Sequence, residues 1–266
     1  MADFYFLGNS SYSQMFGAVI KTESKTIVID GGTVNDCDQL LNTLSELSSL
    51  HVDAWFFTHP HHDHIGAFVT ARQKEKRLTV DKIYYRFLDL DTEGLSRSAT
   101  ELELWKDAKK WDTEYDTHRV CVGDVFTFDD VSFRVLRVYN PEITANPVNN
   151  SSTVYRIDGH SKSVLILGDL GVEGGKDTLE KCPVELLHTD YTQLAHHGQQ
   201  GVNKAFYEAI KPKACLWAAP DWLWDNNRGG GFDSDRFVTV RTREWMAEIG
   251  ATEHLVEKDG THKFEI

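Results

Sequence analysis

Four histidines and one aspartate fall within the six residues His59-Pro60-His61-His62-Asp63-His64. Neutral imidazole and carboxylate are the usual protein donors to zinc, iron and manganese. The spacing His-x-His-x-Asp-His is filled by His59, His61, Asp63 and His64, with His62 in a free position. Donors two residues apart converge if they sit in a bend at the end of a strand. The Asp-His pair that follows can then serve a second ion beside the first. The plain alternative is a surface histidine cluster. Five metal-type groups at one strand-to-helix junction in a 266-residue chain weigh against it.

The elements that must position these groups are legible around them. The apolar run 52–57 (VDAWFF) reads as a strand and the stretch from 65 to 75 as a helix. Before them, 3–7 reads as a strand, and 18–21 and 26–29 as a hairpin ending in Asp30-Gly31-Gly32. Apolar residues at Cys37, Leu40, Leu41, Leu44, Leu47 and Leu50 give 36–50 the pattern of a helix lying on a sheet. Strands are expected at 81–87, twice within 120–139, and at 153–157, 163–167, 191–195 and 214–219. Helices are expected at 99–111, 203–210 and 238–249. A closing hairpin is expected at 254–266, around Asp259-Gly260. Residues 88–118 are polar and read as a cap over the cleft. Strands followed by helices occur twice without a linker. This layout fits two sheets packed face to face with helices outside, an α/β (α+β) four-layer αββα sandwich forming one domain over 1–266.

Three later motifs carry polar groups of the same kind. Asn149-Asn150-Ser151-Ser152 precedes a strand. The apolar strand VLIL ends in Gly168-Asp169, where a carboxylate just past a buried strand is either a site residue or a turn residue. His196-His197-Gly198 precedes a helix. With the opening motif, this order resembles the metallo-β-lactamase superfamily, and within it the branch related to the ComEC/Rec2 metallo-β-lactamase domain. The resemblance runs from Asp30 to Gly198 at least. It implies that His59 and His61 hold a first metal and Asp63 and His64 a second. Asp169 would bridge the two, and His196 would complete the second site. His197, the alternative to His196 as that ligand, would otherwise be a proton donor, a phosphate partner or merely a helix-start residue. Asp30 would lie beneath the site, or else serve only as a turn carboxylate. One departure stands out. Many members of the superfamily supply a third histidine to the first metal from the loop before the bridging aspartate. Here that loop offers only Asn149 and Asn150, either of which would stand in as the ligand, Asn150 being favoured.

The resemblance implies two divalent ions, zinc favoured with manganese or iron as alternatives, and a hydroxide activated between them. Asp63 and Asp169 would fix the pair and hold the hydroxide's proton. Phosphoester hydrolysis of a small substrate is the favoured reading. Hydrolysis of a carboxylic ester, lactone or thioester, or metal sensing without turnover, are the alternatives. The stretch Trp222-Leu223-Trp224 followed by Arg228 and three glycines reads as an aromatic lip with an anion handle, or as an ordinary loop.

Composition narrows the classes. The net charge is −13, and the only basic run, Arg72 to Arg77 (RQKEKR), is interrupted by Glu75. A long nucleic acid is therefore not the expected partner; a small anionic molecule is. No apolar window reaches ~18 residues, so no membrane span is expected. The first residues lack a basic start and a long apolar stretch, so no secretory signal is expected. The cysteines Cys37, Cys121, Cys182 and Cys215 lie far apart and read as reduced thiols of a cytoplasmic protein.

Overall fold

A strand covered on both faces must be apolar at every position, and several runs of this chain are. In the computed structural model, which describes every residue except Ser96, they assemble into two seven-stranded sheets. The first sheet holds β1 (Asp3–Phe6), β2 (Gly17–Lys21), β3 (Thr26–Asp30), β4 (His51–Phe56), β5 (Thr79–Tyr85), β6 (Thr117–Arg119) and β14 (His262–Glu265), in the order β14-β1-β2-β3-β4-β5-β6. The second holds β7 (Val125–Phe128), β8 (Val131–Arg137), β9 (Val154–Asp158), β10 (Ser163–Ile166), β11 (Tyr191–Gln193), β12 (Ala214–Trp217) and β13 (Glu253–Val256), in the order β13-β12-β11-β10-β9-β8-β7.

Alternation sorts the side chains into layers. Ile27, Ile29, Phe56, Phe133, Val164, Ile166 and Leu216 point into the space between the sheets. There Phe56 of one sheet stacks on Phe133 of the other, ring centroids 4.2 Å apart. Their neighbours Leu165, Cys215 and Trp217 point outward instead. They pack under α5 (Val172–Lys181), α6 (Lys204–Ile210) and α8 (Thr239–Ile249). On the far face of the first sheet, Val28, Val52 and Trp55 meet α1 (Cys37–Ser48) and α2 (His62–Lys74). The αββα sandwich expected from the sequence is therefore the observed fold. Each fully buried aromatic or aliphatic side chain adds ~1.5–3 kcal/mol. No helix is long and apolar enough to cross a membrane among the described residues.

Three expectations are corrected. The closing hairpin does not form. β13 runs parallel to β12 (Ala214↔Glu253), while β14 runs antiparallel to β1 (Phe4↔Phe264), so the turn at Glu257–Asp259 carries the chain from one sheet to the other. Alternation within each strand is the same for either partner, so the pattern could not distinguish them. α2 begins at His62, three residues early, which places Asp63 and His64 in its first turn. None of the described residues of 88–118 lines the cleft beside the histidine turn. Their helix α3 (Ala99–Ala108) packs on α2, where Arg72 pairs with Asp107 at 2.7 Å and the Trp105 indole donates to the Pro60 carbonyl at 2.7 Å. The segment buttresses the histidine turn from outside.

Candidate metal centre

β4 ends at Phe56, and the next residues form the turn that opens α2. Beneath that turn lies Asp30, fully buried at the end of β3. Its carboxylate accepts from the Thr58 amide (2.8 Å), the Thr58 hydroxyl (2.6 Å) and His64 Nδ1 (2.7 Å). Since the Thr58 hydroxyl proton goes to Asp30, its oxygen must accept from His59 Nδ1 at 3.1 Å. One carboxylate thus orients two imidazoles, His64 directly and His59 through Thr58. In both, Nε2 is left facing inward. Supporting carboxylates of this kind fix the tautomer of metal-ligating histidines.

Two loops of the second sheet face the turn. Gly168 follows β10 with φ +56, and a Cβ there would lie 2.7 Å from Ser152 Oγ. The tight bend turns Asp169 inward, its amide donating to Ser152 Oγ at 2.9 Å. After β11, His196 and His197 both adopt left-handed backbone, φ 52 and 59. Gly198 continues the bend at φ +76, where a Cβ would lie 2.4 Å from the Trp217 ring. His197 Nδ1 donates to the Ala218 carbonyl at 2.9 Å, so its Nε2 also faces the centre.

Two donor groups result: Asp63, His64, Asp169 and His197 in one, and His59, His61 and Asp169 in the other, with Asp169 common to both. The separations fit an ion between them. His64 Nε2 is 3.2 Å from Asp169 Oδ1, and His197 Nε2 is 3.3 Å from Asp63 Oδ2 and 3.5 Å from Asp169 Oδ2. His59 Nε2 is 3.6 Å from Asp169 Oδ2 and 3.0 Å from His61 Nδ1. Ligands ~2.0–2.1 Å from a tetrahedral ion are ~3.3 Å from each other. His64 Nε2, His197 Nε2 and Asp169 Oδ1 are buried and hydrogen-bonded to nothing among the described residues. Such atoms are costly unless something binds them. Nitrogen and carboxylate donors without a thiolate suit zinc, manganese and iron alike.

The charges are arranged accordingly. Burial opposes ionisation of Asp63 and Asp169, but the surrounding imidazoles outweigh it and hold both carboxyls well below the usual range. Burial likewise opposes the charge on His64, yet Asp169 and Asp30 outweigh it and raise its imidazole to about 10. Burial wins at His59, which is pushed well below its ordinary value.

Other expected site residues are placed differently. His197, rather than His196, joins the inner donors. His196 sits at the rim, its Nε2 3.7 Å from Asp169 Oδ2 and its Nδ1 bonded to the Gln200 carbonyl. Asn150 turns away, its Oδ1 accepting from the Gly171 and Gly174 amides at 2.9 and 3.0 Å, where it ties down the start of α5. Its neighbour Asn149 faces the site instead, with Nδ2 3.4 Å from His196 Nε2 and a buried Oδ1 that has no partner among the described residues. Trp224, in the short α7 (Asp221–Trp224), packs edge-on against Trp217 at 5.3 Å and carries Arg243 over its ring. It is not part of the cleft wall. Trp222 and Arg228 are, in a cleft of about 700 Å³ that opens beside the centre and is also lined by Gln14, His62, His196 and Gln199.

Sequence reading missed Gln14, Glu101, Arg236 and Phe237. Gln14 donates to Asp63 Oδ2 at 3.3 Å, while Arg236 and Phe237 line the cleft. Glu101 lies 3.7 Å from both His61 Nε2 and His62 Nδ1. Burial opposes its ionisation, but His62 and the Ser98 amide outweigh it and hold its carboxyl down to about 2. The signal Ser98-x-x-Glu101 marked a helix start; nothing local tied it to the histidines.

Similar folds are found among solved structures. The metallo-beta-lactamase fold protein YhfI from Bacillus subtilis matches with TM-score 0.60 at 14% identity, covering 99% of this chain and 100% of that one. A diphosphatase from the PhnP family matches with TM-score 0.56 at 16% identity, covering 100% and 98%. CmlA, a diiron beta-hydroxylase from Streptomyces venezuelae, matches with TM-score 0.57 at 12% identity, covering 100% of this chain and 54% of that one. At such identities the likeness concerns the fold. No curated protein sequence is a match. Residues 17–214, which carry every donor described above, match the model of the metallo-beta-lactamase superfamily, and the chain belongs to that superfamily.

Proposed function

We propose that the chain is a metal-dependent hydrolase acting on phosphoester bonds of a small anionic substrate. The observation that carries this reading is the grouping of His64 Nε2, His197 Nε2 and Asp169 Oδ1, all buried and without a hydrogen-bond partner among the described residues, around one point. His59 and His61 would hold one divalent cation, Asp63, His64 and His197 the other, with Asp169 shared. When bound, such cations bring the pKa of water from 15.7 toward ~7 and neutralise charge developing on a phosphoryl oxygen. The protein's own part is orientation and proton handling. Asp30 holds two imidazoles in the needed tautomer, Gln14 fixes the Asp63 carboxylate, and Asp63 and Asp169 are placed to receive a proton from water. His196, at the rim, is placed to donate one to a leaving group. Trp222 and Arg228 would meet the substrate. The order of the Asn-Asn, Gly-Asp and His-His-Gly motifs supports a place in the ComEC/Rec2-related branch.

Metal analysis of protein purified without added metal, followed by turnover assays with zinc, manganese and iron, tests the reading. Bis-p-nitrophenyl phosphate or phosphocholine esters should be hydrolysed faster than lactones or thioesters. A preference for the latter would favour the carboxylic ester reading. Absence of turnover on every substrate, with two ions bound, would leave a metal sensor.

A further inference from the structure

The cleft beside the metal centre carries a charge pattern opposite to that of the chain. The sequence has 41 acidic residues against 28 Lys and Arg, yet no carboxylate side chain is among the residues lining this cleft, while Arg228, Arg236, His62 and His196 are. A cleft lined by one sign of charge concentrates ligands of the other. The two guanidiniums also lie over aromatic faces. Arg228 lies over the Trp222 ring at 4.3 Å and the Phe237 ring at 4.8 Å, and Arg236 lies over Phe237 at 5.4 Å. Stacking on aromatic faces pre-orders an arginine fork that recognises carboxylate or phosphate. Arg228 is partly neutralised, its Nε 3.5 Å from Asp235. Arg236 forms no ion pair among the described residues. The wall is braced by Gln200, whose amide donates to the Arg236 carbonyl at 3.1 Å, and by the Trp222 indole, which donates to the Tyr12 carbonyl at 2.8 Å.

From this we infer that Arg228 and Arg236 form a second anion site, so that the preferred substrate is a phosphoester bearing another anionic group, carboxylate or phosphate, away from the bond that is cleaved. The inference rests on the hydrolase reading for the word substrate, but the site itself can be tested by binding alone. Metal-loaded protein is titrated calorimetrically with methylphosphonate, phosphonopropionate and ethylenediphosphonate, in the wild type, Arg236→Ala, Arg228→Ala and Arg228→Lys. In the wild type the second anion should tighten binding about tenfold, the size expected of one charge-assisted contact. Arg236→Ala should remove most of that gain while leaving methylphosphonate affinity unchanged, and Arg228→Lys should retain more of it than Arg228→Ala. The larger gain, carboxylate or phosphonate, identifies the second group. Equal affinity for the three ligands would overturn the proposal, as would an Arg236→Ala variant that weakens methylphosphonate as much as the others. Because both ends of a dianion could also reach the metals, a gain that survives both alanine variants counts against the site. Absence of turnover on every phosphoester, lactone and thioester tried, with two ions bound, would retire the hydrolase reading and leave this binding ratio standing.

Discussion

Asp30→Asn isolates the group that organises the centre. The Asp30 carboxylate receives the Thr58 amide on Oδ1 and both the Thr58 hydroxyl and His64 Nδ1 on Oδ2. A backbone N–H can only donate, so the asparagine oxygen must stay on the Thr58 amide and its NH₂ must replace Oδ2. The Thr58 hydroxyl can reverse and accept. His64 cannot, unless its proton moves from Nδ1 to Nε2, the atom 3.2 Å from Asp169. A protonated Nε2 is no longer a ligand. Loss of a supporting carboxylate typically weakens a metal site about 10–100-fold, or about 1.4–2.7 kcal/mol. The metal-free protein should also lose about 1.5–3 kcal/mol, the worth of a buried hydrogen bond to a charged group. Competition with a chromophoric chelator measures the first quantity and urea denaturation with excess chelator the second. Thr58→Val is the control: it removes the link to His59 but leaves His64 on Asp30, and should weaken metal binding less than Asp30→Asn. An Asp30→Asn protein that binds zinc within twofold of the wild type would refute the reasoning.

His197→Ala should abolish tight binding of one ion per chain, whereas His196→Ala should leave two ions bound and lower turnover; equal metal contents for both variants would reverse the assignment of the inner imidazole. Asn150→Ala should cost about 1–3 kcal/mol by stranding two buried amides of α5, with little change in metal binding, and Asn149→Ala should do the opposite; denaturation and metal competition on the same samples separate them. Metal affinity should rise with pH. In the metal-free protein His64 is raised from near 6.5 to about 10, so its protonated pairing stabilises the fold fully below the lower value and is lost as pH rises through the higher one. A cation must expel that proton, giving about tenfold tighter binding per pH unit between pH 7 and 9 for each proton displaced. Zinc competition measured at three pH values in that window checks this, and a flat profile contradicts it.

Most of the fold and four of the six inner donors were readable because their signals are local. Apolar runs such as 27–29 and 164–167 declare buried strands wherever they pair, and the donors from His59 to His64 share one turn. The misreadings concern partners rather than elements. β13 and β14 alternate correctly yet join different sheets. His196 and His197 are adjacent and chemically identical, and only the left-handed backbone at both decides which imidazole turns inward. The same holds for Asn149 and Asn150, where the deciding fact is which amide the short turn before β9 aims at the glycines of α5. Trp222 and Trp224 lie two residues apart on a single helical turn, so one reaches the cleft and the other is drawn under Arg243.

The centre is a seam. His59, His61, Asp63 and His64 leave the first sheet, and Asp169 and His197 leave the second. Protein bonds that cross beside them include the Thr153 amide to the Thr58 carbonyl at 2.9 Å, the Tyr155 hydroxyl to the Phe57 carbonyl at 3.0 Å, and the Gln199 side-chain amide to Gln14 Oε1 at 2.9 Å. At this seam the chain keeps two carboxylates almost wholly buried and two successive histidines in a backbone region that costs ~1–2 kcal/mol per residue. A sequence free of constraint would relax such a place by putting glycine at 196 or 197. Glycine would ease the backbone, but only a histidine with an inward nitrogen lets the second sheet add an imidazole to a pair of carboxylates otherwise faced by imidazoles of the first. Strain held at a bend that aims His197 Nε2, buried and without a hydrogen-bond partner among the described residues, at two carboxylates is the physical signature of a site built to bind something.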